Sequence, residues 1–81
     1  MATIPTANDT ALLILKTLVE DLNCRADQSV PDQALKFAFE NRGGQRADIP
    51  AGLKHATEQG WLRYDDDKDA FFLTAAGFAQ A

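Results

Sequence analysis

Two short aromatic-rich runs, Trp61-Leu62-Arg63-Tyr64 and Ala70-Phe71-Phe72-Leu73, bracket the polar stretch 65–69 near the end of an 81-residue chain. Runs of this kind joined by turn residues read as a two-stranded hairpin. Two strands alone are marginal in water, so the hairpin has to lay one apolar face on other elements. Everything upstream of Trp61 is therefore constrained to supply that surface. Period-two alternation nominates Leu62 and one of Phe71 and Phe72 as the inward residues, with Trp61 covering the base.

The upstream sequence supplies the surface as helices. Ala11, Leu15, Leu18 and Leu22 recur every three or four residues, with Leu12 and Val19 beside them, which predicts a helix capped by Asn8 or Asp9 and running to about Asn23. Residues 1–7 are expected as a flexible tail, and 8–81 as one domain. Leu13 projects to the other side of this helix with Lys16, Thr17 and Glu20, either as a contact residue for a partner or as an isolated surface leucine. After a polar connector at 25–30, Ser29, Pro31 and Asp32 announce a second helix with Ala34, Leu35, Ala38 and Phe39 as its stripe, Phe37 at its edge and Gly43-Gly44 as its stop. Asp48 and Pro50 open a third helix in which Ile49, Leu53 and Ala56 face inward and which Gly60 ends. Thr74 caps a last short helix, 75–81, anchored on the first helix by Phe78. Phe39, Leu53 and Trp61 are expected to share one core, where Leu53→Ala would cost about 2 to 5 kcal/mol.

Helix, helix, turn, helix, hairpin and short C-terminal helix is the element order of a winged helix-turn-helix. At residue level, the segment 48–62 resembles the recognition helix and first wing strand of many bacterial regulators. Phe72-Leu73-Thr74-Ala75-Ala76-Gly77-Phe78 is similar to the Leu-Thr-x-x-Gly ending that follows the wing in MarR-like and PadR-like transcriptional regulators. The resemblance implies a mainly α domain with a small β-hairpin, three core helices and a short C-terminal helix. It also implies DNA binding in a transcription-regulatory setting with helix 48–59 as reader. In this sequence Arg42, Arg46, Lys54 and Arg63 are then placed to reach phosphates, and Gln45, Arg46, Ala51 and His55 to approach base edges. Two features depart from the pattern. The turn 43–47 is longer than the three or four residues usual for the motif, and the wing tip, Asp65-Asp66-Asp67-Lys68-Asp69, is anionic. The long flanking dimerisation helices of MarR-like proteins have no counterpart, so a homodimer would use the first helix or the C-terminal turn.

Charge and composition limit the other readings. Twelve acidic against eight basic residues give a net charge of −4 and a pI near 4.6, opposite to the basic footprint of a non-specific nucleic-acid binder. By segment the balance is −2 for residues 1–28, +1 for 29–64 and −3 for 65–81, so any attraction for double-stranded DNA is local to the helix-turn-helix. The alternative is a winged-helix protein–protein interaction module with an acidic wing and no DNA binding. Asp65, Asp67 and Asp69 open like a calcium loop, but Ala70 and Ala76 stand where glycine and a bidentate glutamate are needed. His55 and Cys24 have no evident base or orienting partner, and Gly43-Gly44 lacks the lysine of a phosphate loop. No enzyme activity, metal site or cofactor is therefore expected. The single cysteine fits a reducing compartment, the longest apolar run is only 11–15, and no basic leader precedes it, so a cytoplasmic location is expected.

Overall fold

The computed structural model describes residues 6–81. Thr6 starts the first helix, α1, Ala7–Glu20. Its hydroxyl accepts from the Asp9 N–H at 3.1 Å while the Asp9 carboxylate accepts from the Thr6 N–H at 3.2 Å, so two orphan donors are satisfied reciprocally. The helix therefore begins upstream of the expected Asn8 or Asp9 cap. Of the expected tail, residues 1–5 lie outside the described residues, whereas Thr6 and Ala7 belong to the helix start. At the other end α1 stops at Glu20, short of Asn23, which turns the chain in the left-handed region at φ 53°. Thr10, Ala11, Ile14, Leu15, Thr17 and Leu18 are buried along α1. Thr17, placed by the sequence pattern on the polar side, is fully buried, because its hydroxyl donates to the Leu13 carbonyl at 2.7 Å and its methyl group suits the interior.

The expected hairpin is part of a three-stranded antiparallel sheet. Strand β1, Ser29–Pro31, falls inside the region expected to be connector and helix start. It is followed by α2, Asp32–Asn41, a 3₁₀ turn Arg46–Asp48, α3, Ile49–Glu58, strands β2, Leu62–Asp65, and β3, Ala70–Leu73, and α4, Ala75–Gln80. The strand order is β1-β3-β2, with Val30 opposite Phe71 and Leu62 opposite Leu73. Hydrogen bonds from Leu73 N–H to Gln28 O, from Asp27 N–H to Leu73 O and from Asp32 N–H to Asp69 O extend the zipper beyond β1 at both ends. Pro31 is tolerated because β1 is an edge strand, where a missing N–H breaks no inner ladder. Leu62, Phe71 and Leu73 enter the core, and Phe72 stays half-buried.

One cluster of buried side chains joins the layers: Ile14, Leu15 and Leu18 from α1, Leu35 and Phe39 from α2, Ile49 and Ala56 from α3, and Leu62, Phe71 and Leu73 from the sheet. Leu53 and Trp61 pack on its margin, only partly buried, so the three-residue core expected from the sequence reduces to Phe39 with two flanking contacts. For Leu53→Ala the loss is accordingly about 1 to 2 kcal/mol, below that of a fully enclosed leucine. Asp48 precedes α3 but makes no capping bond, because the 3₁₀ turn runs directly into the helix and holds Asp48 itself in the right-handed region. Thr74 caps α4 as expected, accepting from the Gly77 N–H at 3.0 Å. Phe78 is 37% exposed, and it is Gly77 that seats α4: a Cβ there would lie 2.1 Å from the Trp61 carbonyl oxygen.

The contact between α1 and α3 is the most extensive between any two elements. Gly52 makes it possible, since a Cβ at that position would lie 2.5 Å from Thr10 Cγ2 and 2.9 Å from Ile14 Cδ1. Alanine is the better helix former by about 1 kcal/mol, yet Gly52→Ala should lower unfolding stability by about 1 to 2 kcal/mol, because overpacking outweighs propensity. Thr10→Ser in the same background should recover part of that loss by removing the nearest methyl. Urea unfolding followed by circular dichroism decides the matter; a stabilised Gly52→Ala chain would show that the two helices do not meet there.

Candidate nucleic-acid interface

The sequence between α2 and α3 fixes how α3 is presented. Gly43 takes φ 94°, and a Cβ on Gly44 would fall 2.2 Å from the Phe39 ring, so both glycines are required by the turn. Arg46 and Ala47 are already helical in the 3₁₀ turn. The connection between α2 and α3 is thus 42–48, longer than the three or four residues usual for a helix-turn-helix, as the 43–47 turn read from the sequence is; its second part, Arg46–Asp48, is the 3₁₀ turn. Ile49, Gly52 and Ala56 turn α3 inward; Pro50, Ala51, Lys54 and Glu58 lie on its exposed side. Gln45 and Arg46, both exposed, lead into that face.

Of the candidate site residues, Gln45, Arg46, Ala51 and Lys54 are exposed, Ala51 and Lys54 one helical turn apart on α3 and Gln45 and Arg46 just ahead of it. The other three have different surroundings. Arg42 is half-buried, donating to Glu20 at 2.7 Å and to Asp21 at 3.0 Å, which ties the end of α2 to the end of α1. The hydrogen bond from Arg42 holds the Glu20 carboxyl below its ordinary range. His55 is also half-buried: its Nε2 lies 3.1 Å from Asn8 Oδ1 and its ring meets Trp61 edge-on at 5.8 Å. It bridges α1 and the base of the sheet. Arg63 lies on β2 with its guanidinium over the Phe72 ring at 5.0 Å. Even Arg46 has a companion, Glu40 at 2.5 Å, although both side chains are well exposed. Lys54 forms no ion pair among the described residues. The sequence does not mark Asn8, Glu20, Asp21 and Glu40 as partners of these side chains, and spacing gives no signal for contacts between residues 22 and 47 positions apart.

The acidic residues of the β2–β3 connection have local work. Asp65 accepts from the Asp67 N–H at 3.1 Å, an Asx turn, and Asp69 adopts φ 49°, a conformation that aspartate tolerates. Asp69 also accepts the Tyr64 hydroxyl. Its backbone oxygen takes the N–H of Asp32, so the acids gather beside the start of α2. No group of three or more His, Cys, Asp or Glu with metal-binding geometry occurs among the described residues. Cys24 is buried, its Sγ 3.6 Å from the Gln28 carbonyl, and burial raises its thiol pKa. Leu13 is half-buried beside Leu12 on the outside of α1. No helix among the described residues is long and apolar enough to cross a membrane.

The Tyr64–Asp69 pair can be followed directly, because Tyr64 is the sole tyrosine. The hydrogen bond to Asp69, with desolvation and the charges of Asp69, Asp66 and Asp32, pushes its ionisation from 10.0 up to about 12. The folded chain thus holds this proton more tightly than the unfolded one. The resulting stabilisation is complete below about pH 10 and is lost as the pH rises through about 12. Ultraviolet titration of tyrosinate should show this late midpoint, and Asp69→Asn should bring it back toward 10.0; a wild-type midpoint at the ordinary value would remove the contact. No known protein family, curated protein or solved structure matches the chain.

Proposed function

We propose that the chain is a winged-helix DNA-binding module of a transcription-regulatory protein, in which α3 approaches the major groove and β2–β3 is the wing. The observation that carries this reading is the arrangement α1-β1-α2-α3-β2-β3 with strand order β1-β3-β2, in which α3 packs across α1 by one side and leaves Ala51 and Lys54 outward. Gln45 and Ala51 are the candidate base contacts, by amide hydrogen bonding and by apolar contact with a thymine methyl. Lys54, Arg46 and Arg63 are the candidate phosphate contacts, Arg46 by exchanging Glu40 for a phosphate oxygen. Arg42 and His55 act inside the protein, fixing the ends of α1 against α2 and α3.

A second reading, a winged helix that contacts protein and not DNA, is favoured by one specific observation: the cations nearest the turn, Arg42 and Arg46, are both engaged by acids of the same chain. The acids beside the start of α2 would repel a duplex laid across the wing.

The two readings separate in one titration. With a mixed-sequence duplex at low salt, amide chemical-shift changes should concentrate in 45–58 and at Arg63, and reverse as salt is restored. Three phosphate contacts give a log–log salt slope of about −2.7, and Lys54→Ala should reduce its magnitude by about 0.9. A well-dispersed spectrum that duplex leaves unchanged would reject the DNA reading in favour of the protein partner.

A further inference from the structure

The outward face of α1 carries Asp9, Leu12, Leu13 and Lys16, which line an open groove of about 340 Å³ with Gln80 and Ala81 at the end of the chain. Leu12 and Leu13 pack partly on the core and keep the rest of their surface for solvent. Lys16 is exposed and forms no ion pair among the described residues. Asp9 uses Oδ2 in the helix cap. Glu20, the next acid along the same side, is already held by Arg42.

We propose that this face is covered by the same face of a second copy of the chain, the two α1 helices lying antiparallel about a two-fold axis that passes between residues 12 and 13. The pattern Asp-x-x-Leu-Leu-x-x-Lys is what such an axis requires. Asp9 precedes the midpoint by as much as Lys16 follows it, so a two-fold sets each Asp9 against the other copy's Lys16 and each Leu12 against the other copy's Leu13. Opposite charges at both ends and leucines at the centre make the surface complementary to itself. A partner of unrelated sequence would have to reproduce both features. The pairing also accounts for the surface that Leu12 and Leu13 leave uncovered by the core. It requires nothing of α3 and holds for either reading of that helix.

Sedimentation velocity from micromolar to millimolar concentration tests the proposal. The wild-type chain should self-associate to a dimer that salt weakens. Lys16→Asp, which leaves the helix cap intact, places aspartate against aspartate at both ends and should raise the dissociation constant by about tenfold or more. Asp9→Lys places lysine against lysine with the same effect. Because it also removes the cap, its helicity is checked by circular dichroism. An equimolar mixture of the two variants restores opposite charges at both ends and should form a heterodimer that neither forms alone. A monomeric wild type at millimolar concentration overturns the proposal, and so does a Lys16→Asp chain that dimerises as tightly as wild type, since its dimer would use another surface.

Discussion

The close approach of α1 and α3 at Gly52 determines what the rest of the molecule can present. With no side chain at 52, Thr10 and Ile14 lie directly on the α3 backbone, and the rotation of α3 about its axis is thereby fixed. Ile49 and Ala56 go to the core, His55 swings to the flank where Asn8 and Trp61 meet it, and Ala51 and Lys54 are left outside. A larger residue at 52 would lift α3 and open the cluster that holds Leu62 and Leu73, so the position of the sheet also depends on this contact. At the far side Gly77 plays the same part for α4, which sits against the Trp61 carbonyl because nothing intervenes.

Much of this was legible in the sequence because it follows from short-range rules. Three helices, two strands and the Thr74 cap all rest on periodicities and turn residues within a few positions of one another. The third strand was not legible: Ser29–Pro31 contains a single apolar residue and no alternation, and it is a strand only because β3 offers it a partner some forty positions later. Thr6 could have been found, since Thr6-x-x-Asp9 is a capping-box pattern, but the first apolar residue of the stripe drew the boundary inward. Asp48 shows the opposite failure, where the residue type was right for a cap and the backbone conformation was not.

The candidate interface divides along the same line. Exposure of Ala51 and Lys54 follows from helical spacing once the inward face of α3 is known. Whether a cation there is free does not follow, because its partner comes from another element. Arg42 looks like a phosphate contact in sequence and is a strut in space, joined to Glu20 and Asp21 at the end of α1. His55 likewise looks like a reader and is a bridge. The surplus of basic residues in 29–64 is therefore spent largely on internal pairs, and a charge count by segment overstates the field that α3 projects.

That shortage of free cations bears on how such a domain would hold DNA. Two or three phosphate contacts support only weak, salt-sensitive binding by one copy, and the acids at 65–69 subtract from it. Raising the affinity of one copy would need more basic side chains on a surface whose charges already hold α1, α2 and the turn together. Linking two copies needs no new contact to the duplex: the second domain binds at the effective concentration set by the first, and the number of phosphate contacts doubles. The α1 face proposed to pair with a second copy, opposite the side that holds α3, would supply such a link without drawing on any residue of the proposed reader. The two proposals are thus physically compatible, since pairing of copies would rely on Leu12, Leu13 and a pair of charges, and contact with DNA on the outward side of α3.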